Sequence, residues 1–503
     1  MRRQRAHRIG RAFTVERSRE DQPYSHAMSA LVVPCLAGLG AALILLWFWR
    51  LERQGREITV LATIIGLLVV EGSVYPGFDA PVGVFHPTFG SLSFRPYEIL
   101  IVIAVAARLL ARGTPARMGP ALLWWLGFLS WIGVAAFVGL TMGHSGKIVA
   151  FEAKAVIYLG AMVLAAGIPA QELIGGRTIR RLLLFSAGVA TLMICLDSAG
   201  IRVTGRVLGV PLEESGRMGA DAASIFLALG TLALARGVTS NERRLPMLVA
   251  ACPLVLSTFV PSQRATLLSF VAMAALLVLA GVMTSPRARL RASSGEIAAT
   301  ALMLVALVTL PWVVGGIQGK QLPSYPLASR VSVALTDRSK QLSAEDRVNQ
   351  YNKAIPLILE KPFLGWGLGK TYSHFHPGPD VFEENNLTHN IAGDLLLRTG
   401  VVGLVLFGTA MWLALRDGWR VWRDHSDGAV ACMALACVAV LTGLMAKGMA
   451  ESVFEKFRLA VLIGVFLGIL RSLVTSSGPP EAPDAVAAET GRAPAATISR
   501  APV

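Results

Sequence analysis

The chain has 503 residues, of which 54% are hydrophobic and only 16% charged, with a mean hydropathy of +0.57. A soluble protein of this length carries far more charge and divides into several domains, so that class is excluded. A net charge of +15 invites a nucleic-acid reading, but many arginines sit in short connections between apolar runs, which is the pattern of a membrane protein.

The first 27 residues are basic, from Arg2 to Arg19, and are expected to be cytoplasmic. A cleavable signal peptide is not expected. The apolar run beginning near Met28 leads directly into Trp47, Trp49 and Arg50 with no small-residue cleavage site. Apolar runs of about 20 residues then recur to Leu473, long enough to cross a hydrocarbon core of roughly 30 Å. They are continuous rather than alternating, so they predict helices and not barrel strands. The expected spans are 28–48, 57–72, 96–111, 120–141, 148–167, 181–198, 218–235, 245–261, 265–283, 296–317, 391–415, 428–446 and 456–474. The fold class is thus an all-α polytopic membrane protein of about 12 transmembrane helices. Residues 28–48 are either a thirteenth crossing or a helix lying along the inner surface. All five cysteines fall inside apolar runs, with no disulfide framework and no zinc spacing. No internal repeat is visible.

Charge asymmetry sets the orientation. Every second connection carries three arginines, such as Arg50/Arg53/Arg56, Arg108/Arg112/Arg117 and Arg416/Arg420/Arg423, while the alternate ones hold about half as many basic residues. The arginine-rich set should be cytoplasmic. Between the helices of 28–317 and the three C-terminal spans of 391–474, the hydrophilic segment 318–390 then forms a periplasmic or extracellular loop. The tail 475–503, rich in Ala, Pro and Ser, reads as disordered and cytoplasmic.

Charges within or at the edge of apolar spans are costly. In this topology Glu71, Glu152, Lys154, Asp197, Arg217, Asp221, Arg264, Asp394, Lys447 and Glu451 gather near the outer helix ends. They read either as interfacial residues reaching for water or as the lining of a polar cavity open to the outside. Arg264 stands in the turn Pro261-Ser262-Gln263-Arg264, between two apolar helices and on the side where arginine is disfavoured. Its planar, permanently charged guanidinium suits a phosphate.

In the outer loop, Arg347-Val348-Asn349-Gln350-Tyr351 opens an amphipathic stretch through Ile355, Leu357 and Ile358. Pro362-Phe363-Leu364-Gly365-Trp366-Gly367-Leu368-Gly369 should stop that helix in a glycine-rich turn. Thr388-His389-Asn390 stands directly before the next apolar helix, ahead of Asp394 and Gly400-Val401-Val402-Gly403. A loop histidine is ordinarily just solvated, but beside a polar patch at the membrane surface His389 can serve as a general base. His374 and His376 form too sparse a pattern to predict a metal, and no cofactor is expected.

The order of these features resembles the O-antigen ligase and O-antigen polymerase superfamily, over roughly residues 57–474. The resemblance rests on Arg264 in a short outer turn and on an R-x3-aromatic motif at Arg347 and Tyr351. It also rests on the turn Pro362–Gly369 and on an H-N pair, His389-Asn390, before a helix ending in Gly400-x-x-Gly403. Tyr351 stands where the family often has Trp, and Arg398-Thr399 where it often has an acidic residue before the glycine. Gly216-Arg217-Met218-Gly219 matches the family's R-x-G pattern without the asparagine that follows it.

The resemblance implies a GT-C-like architecture whose large outer loop contains short helices. It implies glycan transfer from undecaprenyl pyrophosphate to an acceptor hydroxyl, in lipopolysaccharide or exopolysaccharide biosynthesis at the outer face of a bacterial inner membrane. Arg264 and Arg347 would hold the diphosphate with help from Arg217, Asn390 and Lys154 would contact the donor, and His389 would take the acceptor's proton. The implied partners are the lipid bilayer, the lipid-linked donor, a glycan or lipid acceptor and a chain-length regulator protein, without nucleic acid. The rival reading is a transporter or flippase for lipid-linked oligosaccharide, which the span count favours. Transporters tend to show repeated halves and polar residues at mid-membrane depth, and this sequence shows neither. A structural scaffold would leave the outward arginines without a purpose. Nothing separates ligase from polymerase.

Overall fold

The computed structural model describes residues 23–74, 88–89, 92–93, 96–112, 120–198, 206–207, 210–211, 220–239, 244–260, 264–283, 338–377, 381–386, 388–451 and 457–476. The predicted run at 296–317, the first part of the loop (318–337), Arg217 and the C-terminal tail lie outside the described residues.

The apolar runs form helices α1 (Pro23–Arg53), α2 (Glu57–Val74), α3 (Pro96–Arg112) and α4 (Pro120–Thr141). Next come α5 (Gly146–Ile157), α6 (Ala161–Ala165), α7 (Ala170–Gly175), α8 (Arg177–Ser198), α9 (Ala220–Thr239), α10 (Arg244–Leu256) and α11 (Arg264–Met283). The loop supplies α12 (Arg338–Glu360), and the chain closes with α13 (Ile391–Asp424), α14 (Gly428–Ala450) and α15 (Phe457–Ser476). Two minimal antiparallel pairs, β1–β2 (Thr88–Phe89, Leu92–Ser93) and β3–β4 (Arg206–Val207, Val210–Pro211), sit in connections.

The chain is a largely helical, polytopic membrane protein. Among the described residues, seven helices are long and apolar enough to cross a bilayer, by length and composition. The segment expected as one span over 148–167 is among these candidate spans, as Gly146–Ala165, and comprises α5 and α6 joined by a 3-10 turn at Tyr158–Gly160.

Helix α15 is the axis of the bundle. Its residues are buried on every side, as an apolar helix surrounded by others must be. Gly464 and Gly468 let it approach the α5–α6 junction, where a Cβ at Gly468 would stand 2.3 Å from the Met162 carbonyl oxygen. Trp125 and Phe128 of α4 and Phe407 of α13 form an aromatic trio with ring centroids 5.4–6.0 Å apart.

The two ends of the bundle differ in chemistry. At the arginine-rich end, Arg108 reaches Glu52 at 2.8 Å and Arg112 pairs with Glu57. At the loop end, Arg458 meets Glu71 at 3.3 Å and Lys154 meets Glu98 at 2.5 Å. Several of the charges read from sequence as snorkelling or cavity-lining are therefore buried and paired inside the protein. Removing a lone charge from water costs several kcal/mol, which a well-made partner offsets.

The described part of the loop holds one 23-residue helix and a hairpin, β5 (Tyr372–His376) and β6 (Val381–Asn385), rather than a set of short helices. Tyr372 stands opposite Asn385 and His376 opposite Val381. The strand Tyr372–His376 lies along α12. His374 Nε2 is 3.0 Å from Asp346 Oδ1, and Asn349 donates to the Phe375 carbonyl at 3.1 Å.

Candidate active site

The loop is fastened to the bundle at a break in α13. Gly400 adopts φ 65° and ψ −169° inside an otherwise continuous helix. A break frees the carbonyls before it and the N–H groups after it, and buried backbone groups must find partners. The glycine-rich turn supplies them. Trp366 N–H donates to the Leu397 carbonyl (2.8 Å) and Gly367 N–H to that of Arg398 (3.0 Å). In return, the N–H of Val401 donates to the Pro362 carbonyl at 2.8 Å. Trp131 closes the set, its indole N–H 2.9 Å from the Thr399 carbonyl. Gly367 has φ 79°, and a Cβ there would lie 2.3 Å from the Gly139 backbone nitrogen. The two glycine motifs thus form one structural unit.

A buried polar node locks this unit. Glu152 of α5 accepts from Gly369 N–H and from the Asn386 amide, both at 2.8 Å, and faces Arg398 Nε at 3.2 Å. Arg398 also donates to the Asn386 carbonyl at 2.8 Å. Beside it, Asp394 accepts from Thr388 N–H at 2.6 Å and from its hydroxyl at 2.9 Å. Thr388 therefore enters α13 in one fixed geometry, with His389 next in the chain.

Asn390 caps α13, its side-chain oxygen accepting from Ala392 N–H at 2.8 Å and Gly393 N–H at 3.3 Å. Its amide donates to the Met449 carbonyl at 3.1 Å, and the Tyr351 side chain is hydrogen-bonded to Asn390. Arg347 lies one turn before Tyr351 on α12, and its charge acts on both Tyr351 and His389. Arg347 Nε is buried with no hydrogen-bond partner among the described residues. A buried, unpaired guanidinium donor is uncommon and asks for an acceptor from elsewhere. Burial, and then the Arg347 cation, push the His389 imidazole below its ordinary pKa, while Glu451, Asp394 and Asp346 oppose the shift. The shift favours the neutral imidazole, the form able to accept a proton.

The floor beneath is held by Lys447, which is fully buried. Its ammonium donates to Ser224 Oγ at 2.7 Å and Thr266 Oγ1 at 3.3 Å, and lies 3.7 Å from Glu451 and 4.0 Å from Asp221. Thr266 is in the first turn of α11, which begins at Arg264, so Lys447 brings the start of that helix to the same end of the bundle as His389.

Of the residues singled out from sequence, Arg347, His389 and Asn390 come together, and Arg264 opens the helix held by Lys447. Arg217 is outside the described residues. Lys154 is paired with Glu98 and lies 4.9 Å from the Phe457 ring centre, so it already has protein partners. Glu152, Asp394 and Lys447 stood among the charges flagged at helix ends, but their joint role was not visible. Arg398, noted only as a departure from the family pattern, turns out to be the counter-ion of Glu152.

Residues 229–408 match the family model described as O-antigen ligase. No curated protein matches the chain. The matched region includes α11, α12, the glycine turn, the hairpin and the break at Gly400, so the resemblance to O-antigen ligases read from sequence is supported over that part of the chain.

Proposed function

We propose that this protein is a membrane glycosyltransferase of the O-antigen ligase or polymerase type. It moves a glycan from undecaprenyl pyrophosphate onto an acceptor hydroxyl at the outer face of a bacterial inner membrane. The bundle comprises about twelve spans with GT-C-like architecture, the arginine-rich end in the cytoplasm. One observation carries the reading: a buried guanidinium donor with no partner among the described residues, Arg347 Nε, lies beside His389, whose imidazole is pushed below its ordinary pKa by burial.

In the reaction the acceptor oxygen bonds to the anomeric carbon as the bond from that carbon to the diphosphate oxygen breaks. His389 takes the acceptor's proton. The leaving undecaprenyl diphosphate gains negative charge, which Arg347 and Arg264, assisted by Arg217, stabilise by preorganised hydrogen bonds. Attack opposite the leaving group inverts the anomeric centre. Asn390 and Lys154 hold the site's framework through Met449, Tyr351 and Glu98. Because arginines supply the positive charge, transfer should continue at near its normal rate in excess EDTA. A loss restored by Mg²⁺ or Mn²⁺ would refute that part.

The test of function is reconstitution in detergent with native donor and acceptor, read on a product gel. Detergent removes the compartments that a flippase needs, so a transferase makes product there and a carrier does not. Absence of product, with donor translocation in liposomes, would make the protein a carrier. Orientation is checked separately with single cysteines in intact spheroplasts. Cysteines at the exposed loop positions Lys353 and Glu384 should react with a membrane-impermeant reagent, and one at exposed Arg420 should not. The reverse pattern would invert the topology.

A further inference from the structure

Helix α12 is apolar on two faces, and among the described residues only one of them has a protein partner. The inner face carries Ala354, fully buried, with Leu357 and Ile358 packed beside it against Tyr372, Trp366 and Leu397. The other face carries Val348, Ile355 and Leu359, whose spacing of seven and four residues lines one side of a helix. These three are 55%, 49% and 70% exposed. The ridge continues past the helix end into Phe363 and Leu364, also largely exposed. A contiguous apolar ridge of this size marks an interaction surface.

Its surroundings identify the occupant. The backbone bond from Val401 N–H to the Pro362 carbonyl sets Phe363 at the start of the long second limb of α13, a candidate span. Lys361 Nζ lies 3.5 Å from Met142 Sδ, just past the end of α4. The exposed flanks of these spans, with Phe137 and Leu140 on α4 and Val405 on α13, are apolar as well. Two cations complete the corner. The ammonium groups of Lys361 and Lys370 lie 3.9 and 4.1 Å from the ring centre of Trp366. A tryptophan flanked by lysines at the end of membrane spans suits the headgroup region, with the ring at the interface and the ammonium groups reaching phosphate.

We propose that the corner Ile355–Leu364 is a foot by which the loop stands in the bilayer, its apolar ridge entering the acyl boundary while Lys361 and Lys370 engage phospholipid phosphate. The occupant is bulk phospholipid rather than the polyprenyl chain of the donor. A single bound chain needs a concave cleft, whereas this ridge stands out along a helix side and adjoins the exposed apolar flanks of candidate spans. Insertion would be shallow, about 5–10 Å, as for an amphipathic interfacial helix. By helical spacing Arg347 shares the side of Ala354, seven residues on, and Tyr351 that of Ile358, so the foot fixes their height at the level of headgroup phosphates, where a lipid-linked diphosphate also sits.

The test uses the full chain in nanodiscs of anionic phospholipid, with native cysteines replaced and a single cysteine at Leu359, Phe363 or Lys353 carrying an environment-sensitive fluorophore. Labels at Leu359 and Phe363 should emit blue-shifted light and be quenched by a phospholipid spin-labelled near the top of its acyl chain. The label at Lys353, off the ridge, should instead be quenched by aqueous iodide. Iodide quenching at all three positions would overturn the proposal. So would lipid protection that develops only on adding undecaprenyl pyrophosphate, because the ridge would then be a seat for the donor's tail. Wild-type protein gives an independent reading without substitutions. A phospholipid bearing a carbene-generating group high on its chain should label residues 355–364, and labelling confined to the transmembrane helices would refute the foot.

Discussion

His389→Ala is expected to lower glycan transfer by about 10²–10⁴-fold while leaving donor binding in place, since it removes only the proton acceptor. Arg347→Lys keeps the charge but loses the planar, paired hydrogen bonds to a diphosphate, so its activity should also fall steeply. Donor binding should weaken with it, which distinguishes the two defects. The pH profile gives a further check. Burial and Arg347 hold His389 below the ordinary value of about 6.5, so the acid limb of kcat/KM should lie below that pH. Removing the neighbouring cation with Arg347→Gln favours the imidazolium and should move the residual activity's acid limb upward. The same shift has a stability consequence of fixed sign. A depressed folded-state pKa contributes stability that is complete above about 6.5 and is lost as the pH falls through the folded value. Activity indifferent to all these substitutions would leave the transferase standing and place its chemistry elsewhere.

The helices were legible because their signals are local. Apolar runs mark their lengths, and Pro362 with three glycines stops α12 at Glu360, close to where the sequence predicts. The cap at Asn390 was not read, because the resemblance assigns that asparagine to the donor, although an asparagine immediately before an apolar run is the ordinary signal for one. The interior pairings were not legible. Nothing in the sequence near Glu152 indicates that its counter-ion is Arg398, or that Gly369 N–H and Asn386 complete its coordination. Such partners are chosen by how distant helices pack, and the composition of either helix leaves the choice open. The same limit explains why Arg398 read as a departure, and why Gly400 and the Pro362–Gly369 turn read as separate motifs. It also explains Lys154, whose cation fits a ligand-binding role until Glu98 is found beside it. The 3-10 turn inside the 148–167 span has a similar origin. Apart from Glu152 and Lys154 the run is apolar, and the 3-10 turn falls where Gly464 of α15 packs on Tyr158 and Leu159.

The largest structural effect is expected from Arg398→Met. Glu152, its partner, has a side chain only 1% exposed, and a second carboxylate, Asp394, lies 3.9 Å from the same guanidinium. Deleting the cation leaves an uncompensated buried charge, a change that typically costs about 3–5 kcal/mol. Glu152→Gln should cost less. The amide oxygen can still accept from Gly369 N–H, and Arg398 keeps Asp394 and the Asn386 carbonyl. Combining Arg398→Met with Glu152→Gln removes both charges together, so the double variant should be more stable than Arg398→Met alone, although it carries one more substitution. Groups in direct contact are where such non-additivity appears. Thermal unfolding in detergent reads the order of stabilities, and limited proteolysis reads where the damage falls. With Gly369 and Asn386 released, cleavage should concentrate in the glycine turn and hairpin before the bundle opens. Additive losses, or a double variant no better than Arg398→Met, would mean that Glu152 and Arg398 do not hold the loop as an ion pair. Arg398 would then act through its other contacts, such as its bond to the Asn386 carbonyl, and the loop would owe its attachment to the backbone bonds at Gly400.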